Sequence, residues 1–343
     1  MLARSNKMIH PLGVEIETPL LVPSFSSKGF AFKKKKKKKD ADVSESLDAL
    51  EFSKEFLTES LLVSAYDMYH KHIPFTEEHI STEITFLDSG GYESGNAYDL
   101  STTSKFNYDL KNWDLEKLKE VLNKWPEHKA AIAVSFDHGN HNVSLDQQIH
   151  SAIDLFAQFP KMQSDFLIKP ETKDQDYIQI DNIIRHIKQL KSFDIIGVTE
   201  RELGNSILQR MLNIAKIREA LNKNGINSPI HIFGSLDPVT SILYFLAGGE
   251  IFDGLTWLKY SYFNNAAIYT SNFGVLNSEL GINIRDGHVK SIAITKNTYY
   301  LQKMKYTMKD FIKHDNFDLF DNLGGKGFGK IIENSYRTFE SNL

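Results

Sequence analysis

A chain of 343 residues with 41% apolar and 24% charged side chains has the composition of a soluble globular protein, and its length suits one barrel-sized domain or two ordinary ones. Its apolar runs are too short to span a membrane and residues 1–11 lack the apolar segment of a signal peptide, so we expect no membrane partner and a cytoplasmic location. The absence of cysteine excludes disulfides and every metal site that needs thiolate ligands.

Charge is distributed unevenly along the chain. The formal net charge is -4, and the seven consecutive lysines at residues 33–39 contribute +7, which leaves -11 for all other residues. A run of this kind is typical of a solvated loop, although it can also contact a phosphate backbone. The small and acidic neighbours and the lack of interleaved aromatic residues favour the solvated loop.

Eight short segments that are apolar nearly throughout are predicted as strands. Strands that do not alternate apolar and polar side chains are covered on both faces, which is typical of a parallel sheet. The predicted strands lie at residues 20–24, 60–66, 84–89, 131–137, 165–169, 193–198, 229–234 and 250–257.

Amphipathic segments follow these strands and are predicted as helices. Their apolar side chains recur at helical spacing, and several begin at a capping residue such as Asp114, Ser144 or Asp237. Alternating strands and helices in this number predict an α/β fold, a (β/α)8 barrel formed as a single domain by residues 1–343. The predicted helices cover residues 114–125, 144–156, 177–190, 205–222, 239–247 and 298–314.

Two segments near the C-terminus interrupt this pattern. Residues 264–294 are predicted to form short β segments and loops, with Asp286 and Gly287 in a turn. Residues 324–343 begin with a glycine-rich basic stretch and are predicted to be a flexible tail. These glycines do not fit a phosphate-binding loop, because no strand precedes them and no Ser or Thr follows the lysine.

Three of the apolar runs within the predicted strands end in an aspartate, namely Asp88, Asp137 and Asp253. Reactive groups of a (β/α)8 barrel lie at the C-terminal ends of its strands, so these carboxylates are expected at one mouth. Such a group suits acid, base or nucleophile chemistry at an acetal-like carbon, or binding of an amidine-like edge. Singly, Asp88 and Asp253 also fit structural turns before glycine. Asp137 next to His138 fits a structural pair or half a metal site, and the absence of further ligands at suitable spacing favours a non-metal role.

Four motifs occur in order along the chain: residues 18–23 (TPLLVP), 86–92 (FLDSGGY), 135–137 (SFD) and 251–254 (IFDG). Together they resemble the tRNA-guanine transglycosylases, the superfamily of queuine and archaeosine tRNA-ribosyltransferases, which includes relatives that modify DNA. The resemblance covers most of the chain. It implies exchange of guanine for a 7-deazaguanine-type base in tRNA or DNA, without an organic or redox cofactor.

The resemblance also implies a role for each matching residue. Asp253 matches the nucleophile that attacks ribose C1′ and expels guanine, leaving a covalent intermediate. Asp88 matches the aspartate that handles the proton of the departing and incoming bases, and Asp137 matches the carboxylate that reads the purine edge. The other expected substrate-binding residues are Ser89, Gly90, Gly91, Tyr92, Gly197 and Lys259.

The chain departs from the family at its structural zinc site, which uses three cysteines and a histidine. There is no cysteine here, and Lys296 stands at the histidine position, so we expect no zinc and a rebuilt or trimmed region at residues 264–294. Two base-pocket segments also differ. Residues 169–171 read Lys-Pro-Glu in place of Gln-Gly-Gly, and residues 196–200 read Ile-Gly-Val-Thr-Glu in place of a glycine-rich segment.

These departures leave alternatives open. The substrate polymer is tRNA or DNA, and because the family dimerises partly through the zinc region, a monomer, a homodimer and a heterodimer are all compatible with the sequence. A non-catalytic nucleic-acid-binding subunit of such an enzyme is the second hypothesis. An unrelated barrel hydrolase acting on a nucleoside or sugar is the third.

Overall fold

The structure is a computed structural model of the chain and describes residues 1–33, 43–73, 79, 81–95, 110–137, 143–277 and 280–343. Most of the lysine run predicted as a loop, residues 34–39, lies outside the described residues, as does His138. Among the described residues, no helix combines the length and the apolar character needed to cross a membrane.

Eight strands close into a parallel barrel, in which each strand pairs with the next one along the chain and the last returns to the first. All eight predicted strands are confirmed, and the fold is a (β/α)8 barrel. In chain order the strands are β1 (Lys7–Ile9), β2 (Glu15–Glu17), β3 (Leu20–Phe25), β4 (Phe32–Lys33), β5 (Val43–Ser44), β6 (Ser60–Ser64), β7 (Ile84–Asp88), β8 (Ala131–Val134), β9 (Gln163–Ile168), β10 (Ile195–Thr199), β11 (Ile230–Phe233), β12 (Ile251–Gly254), β13 (Ser261–Phe263) and β14 (Ala266–Ile268). The barrel consists of β3 and β6 to β12.

The helices surround the barrel and follow the predicted order. The predicted helix at residues 177–190 is shorter than expected, because it divides into an α-helical turn and the 3-10 segment Gln189–Ser192. In chain order the helices are α1 (Ser46–Ser53), α2 (Ala65–His70), α3 (Gly91–Ser94), α4 (Leu115–Lys124), α5 (Leu145–Phe156), α6 (Ile180–Arg185), α7 (Ile207–Lys223), α8 (Pro238–Leu246), α9 (Thr256–Lys259), α10 (Thr270–Leu276), α11 (Asp286–His314), α12 (Asp321–Gly324) and α13 (Phe328–Glu340).

The two-residue period of a strand decides which side chains enter the barrel. On β12, Ile251 packs in the barrel interior, whereas Phe252 packs in the core between barrel and helices. The same alternation places Asp253 inward, one step nearer the mouth. At the opposite end, the β1–β2 hairpin packs Met8 and Ile16 against the interior cluster. The alternation therefore places Asp253 at the C-terminal mouth, at the end of the barrel away from this hairpin.

The prediction of short β segments and loops at residues 264–294 is only partly correct, because a hairpin is followed there by α10 and the start of α11, which pack around a small apolar cluster. The β13–β14 hairpin turns at Asn264 and Asn265, both with positive φ, and α10 follows it. Phe273 of α10 packs with Val289 and Ala293 of α11. The turn predicted at residues 286–287 is wrong, since α11 already begins there and runs twelve residues longer at its start than the predicted 298–314. An acidic residue in the first helical turn and the buried face opposite α10 explain this earlier start.

The flexible tail predicted at residues 324–343 is also wrong. Helix α13 occupies Phe328–Glu340 and buries one face, formed by Phe328, Ile332, Tyr336 and Phe339. Those residues recur at helical spacing, so the helix is stabilised by an amphipathic stripe that the glycine-rich start of the segment obscured.

Candidate active site

A cavity of about 180 Å³ lies at the C-terminal mouth of the barrel. Every barrel strand contributes a side chain to its wall, either from its last residues or from the turn that follows. These wall residues include Ser24, Ser64, Asp88, Asp137, Leu167, Lys169, Thr199, Phe233 and Asp253.

Asp253 is buried, with 5% of its surface exposed, and both of its carboxylate oxygens accept hydrogen bonds. Ser24 Oγ donates to Oδ2 at 2.7 Å, and the backbone N–H of Gly234 donates to Oδ1 at 3.0 Å. Donors of this kind favour the ionised carboxylate and fix its orientation. Asp253 is therefore held as a carboxylate that faces the cavity.

Asp88, at the end of β7, has the opposite electrostatic environment. Burial raises its pKa to about 7, and the nearby carboxylates of Asp253 and Asp137 act in the same direction. The backbone N–H of Gly90 donates to Oδ2 at 3.0 Å and opposes this shift only in part. A carboxyl group that titrates near neutral pH can give and take a proton in the same reaction cycle.

Asp137 is not isolated in the cavity, because Lys169 pairs with it. The Lys169 Nζ atom lies 3.3 Å from Asp137 Oδ2 and 2.6 Å from Glu202 Oε1. Burial alone would lower the pKa of Lys169, but the two carboxylates outweigh it and hold that pKa above its usual range, so the ammonium stays charged. The wall of the cavity thus presents a donor between two acceptors.

Two residues of the DSGGY motif shape the cavity next to these groups. Gly91 lies under Asp137, and Tyr92 lines the wall with Lys28 Nζ 4.6 Å above its ring centroid. Lys28 Nζ also donates to the backbone oxygen of Gly95 at 2.8 Å. The loop after β3 and the short helix α3 are therefore joined at the rim of the cavity.

Four residues expected to bind substrate do not line the cavity, whose wall is known for the described residues only. The backbone oxygen of Ser89 accepts from Trp113 Nε1 at 2.7 Å, and Gly90 occupies a left-handed conformation before α3. Gly197 lies inside the barrel under the Phe233 ring, and Lys259 ends α9 against Gly29. The structure therefore places these four residues outside the cavity wall.

Glu93 is a site residue that the sequence analysis missed. Burial raises its pKa to about 8, with the carboxylates of Asp67 and Asp88 acting in the same direction. Ser26 Oγ and Ser64 Oγ each donate to one of its oxygens, the latter at 2.7 Å. Its position directly after the DSGGY motif was the available signal. Lys169 and Glu202 were also missed as an ion pair, although the changed segment 169–171 marked the place.

The residues present do not fit the structural zinc site of the resembled family. The chain has no cysteine, and Lys296, at the place of the histidine ligand, lies 5.9 Å over the ring of Phe273. In the described part of the chain, no three His, Asp or Glu side chains are grouped as metal ligands. Scans against protein-family models and against curated proteins find no match to this chain.

Proposed function

We propose that this protein is a nucleic-acid guanine transglycosylase, which exchanges guanine for a 7-deazaguanine-type base through a covalent bond between Asp253 and ribose. The observation that carries the proposal is the meeting of Asp253, Asp88 and Asp137 in one cavity. Asp253 is hydrogen-bonded as a carboxylate, whereas the pKa of Asp88 is raised to about 7. Two neighbouring carboxyl groups with separated protonation states suit a nucleophile and an acid.

In the first half of the reaction, an oxygen of Asp253 forms a bond to ribose C1′ while the bond from C1′ to the base nitrogen breaks. The electron pair of that bond stays on guanine, which takes up the proton of the Asp88 carboxyl. Guanine leaves as a neutral base, and Asp88 is left ionised in a buried setting that favours its reprotonation.

In the second half, the incoming base gives its N9 proton to Asp88 and its nitrogen attacks C1′. The ester bond to Asp253 breaks with its electron pair on the carboxylate. Ser24 Oγ and the N–H of Gly234 stabilise the charge that returns to this carboxylate. Asp88 ends the cycle protonated, so the exchange needs no net supply of protons.

The opposite wall of the cavity suits the edge of a guanine-like base. Such an edge carries a carbonyl oxygen beside N–H donors. Lys169 Nζ can donate to the carbonyl, and Asp137 can accept from the N–H groups. Tyr92 and Phe233 also line the cavity, and aromatic side chains suit a planar ring.

The test is incorporation of radiolabelled guanine into bulk tRNA and into duplex DNA, measured in parallel with purified protein and EDTA present. Label that enters one polymer supports the proposal and identifies the substrate class. Asp253→Asn should abolish incorporation without loss of folding, whereas Asp310→Asn, at an exposed position of α11, should leave it unchanged. Incorporation that persists in Asp253→Asn would contradict the nucleophile assignment.

A second candidate is a non-catalytic subunit that binds nucleic acid for an active partner. The ion pair between Lys169 and Asp137 favours it, because the carboxylate assigned to the base is already occupied. This candidate predicts salt-sensitive binding of tRNA or DNA with no label incorporated by the chain alone. Incorporation by the purified chain rejects it.

A further inference from the structure

A buried histidine lies directly beneath Asp253 in the barrel. His231 on β11 is fully buried, and its Nδ1 donates to Asp165 Oδ2 on β9 at 2.6 Å. Its Nε2 lies 3.3 Å from Asp253 Oδ1 on β12. The three side chains therefore form a continuous line from the barrel interior to the floor of the cavity.

A glycine on the strand between them makes this line possible. Strands β9 and β11 are not neighbours, since β10 pairs with both. Gly197 is the β10 residue at this level, and a Cβ added there would lie 2.8 Å from Asp165 Oδ1 and 2.6 Å from the Phe233 ring. Because the glycine has no side chain, Asp165 can reach His231 across β10. Gly197 was expected to bind the base, but the structure gives a different reason for a glycine here: a side chain would collide with Asp165 and Phe233 in the barrel interior.

The charges around His231 differ from those of an ordinary core histidine. Asp165 and Asp253 face its two ring nitrogens, while the rings of Phe86 and Phe233 pack beside it at centroid distances of 5.5 and 3.8 Å. Two buried carboxylates in contact with one imidazole are costly unless the ring carries a positive charge. Burial alone would lower the pKa of His231, but the two carboxylates outweigh it and raise this pKa to about 9.

The contact between His231 and Asp253 is an ion-pair contact and not an aligned hydrogen bond. Within the described part of the chain, Nε2 has no well-formed hydrogen-bond partner, and neither has Asp165 Oδ1. A purely structural histidine would be expected to satisfy both ring nitrogens. Nε2 instead lies 3.3 Å from the oxygen of Asp253 that also accepts from Gly234.

On the basis of the proposed exchange reaction, we infer that His231 and Asp165 are positioning residues for Asp253: Asp165 holds His231 as a cation, and His231 fixes Oδ1 and keeps Asp253 ionised. Asp88, which acts on Asp253 from β7, then remains the group that carries the proton. The cation stabilises the carboxylate before attack and again as it leaves the ester. It disfavours transfer of the proton from Asp88 to Asp253.

The charge of His231 can be measured independently of any activity. The probe is ¹⁵N-histidine NMR of the full chain, with the His231 signal assigned by its loss in His231→Gln. Both ring nitrogens should be protonated at pH 7, and the ring should lose one proton near pH 9. Asp165→Asn should move this titration to lower pH, because one of the two carboxylates is removed. A neutral His231 at pH 7 in the unmodified protein would overturn the inference.

Exchange kinetics test the consequence for Asp253. In His231→Gln the exchange rate should fall on the order of 100-fold. The change in rate that the unmodified protein shows near pH 9, where His231 loses its charge, should be absent from the pH profile of this variant. The matched control is His10→Gln, a buried histidine at the other end of the barrel whose Nε2 lies 2.9 Å from the Ala131 oxygen. It should leave the pH profile unchanged even if stability falls.

The two experiments separate this inference from the proposed function. If the unmodified protein exchanges guanine and His231→Gln keeps its rate and pH profile, the positioning role is wrong while the function stands. If the unmodified protein exchanges nothing, the function is wrong, and the NMR titration alone decides the charge of His231. If His231→Gln does not fold, Asp165→Asn provides the same comparison of rate and pH profile.

Discussion

Asp137 lies directly over Gly91, so that a Cβ added to this glycine would stand 2.2 Å from Asp137 Oδ2. The glycine at the start of α3 therefore makes room for the carboxylate that follows β8. This contact joins two of the motifs found in the sequence, FLDSGGY and SFD, within one wall of the cavity. The position of Asp137, and with it the proposed base recognition, depends on the absence of a side chain at residue 91.

We predict that Gly91→Ala impairs base binding more than it impairs folding. The added methyl group must displace Asp137, so KM for the base should rise, on the order of tenfold or more, for a misplaced polar contact. Steady-state exchange at varied base concentration measures this. Gly287→Ala is the matched control, because a Cβ there meets nothing within 4 Å. An unchanged KM in Gly91→Ala would show that Asp137 does not contact the base.

Asp88→Asn should reduce the exchange rate by roughly 10²- to 10⁴-fold, the usual contribution of a positioned acid or base. The kcat profile of the unmodified protein should change near pH 7, where Asp88 titrates, and this feature should be absent from the variant. The matched control is Asp48→Asn in α1, outside the cavity wall. A pH profile that keeps its inflection in Asp88→Asn would assign the titration to another group.

Glu93 should make stability depend on pH. Its pKa is about 8 in the folded protein and 4.5 ordinarily, so the native state retains a proton that the unfolded state releases between these values. This contribution to stability is fully present below about pH 4.5 and is lost as the pH rises through 8. Glu93→Gln should flatten the fall in urea midpoint from pH 5 to pH 8. Glu120→Gln, on the exposed face of α4, should keep the original slope.

The sequence was sufficient for the barrel and for part of its site. Eight apolar runs of strand length predict the barrel strands because parallel strands are buried on both faces. Asp88 and Asp253 end such runs at positions whose side chains point into the barrel, which places both at the mouth. This is a local property that can be read along the chain.

Contacts across the barrel could not be predicted in the same way. Lys169 forms ion pairs with Asp137 and Glu202. The three residues follow three different strands, and no spacing along the chain encodes the distances between their side chains. The early start of α11 was missed because its first buried residue, Val289, packs on Phe273 of another helix. Tertiary packing decided both features, and it overrode the turn signal at residues 286–287.

The cluster around Phe273 should stabilise residues 264–294 without a metal. Phe273→Ala should reduce the free energy of unfolding by about 3–5 kcal/mol, the usual cost of removing a buried phenylalanine. Val275→Ala in the same helix is the control, since Val275 is exposed. EDTA should leave both the urea midpoint and the thermal midpoint Tm unchanged. A large fall in Tm with EDTA would reveal a metal contribution that this packing does not explain.

The most direct measurement of the central claim is a search for the covalent intermediate. Protein is incubated with the nucleic acid that accepts label, without an incoming base, then denatured, digested and examined by mass spectrometry. We predict a ribose-linked adduct on the peptide that contains Asp253, and its absence in Asp253→Asn. An adduct on another residue, or exchange that proceeds with no adduct on Asp253, would contradict the proposed mechanism.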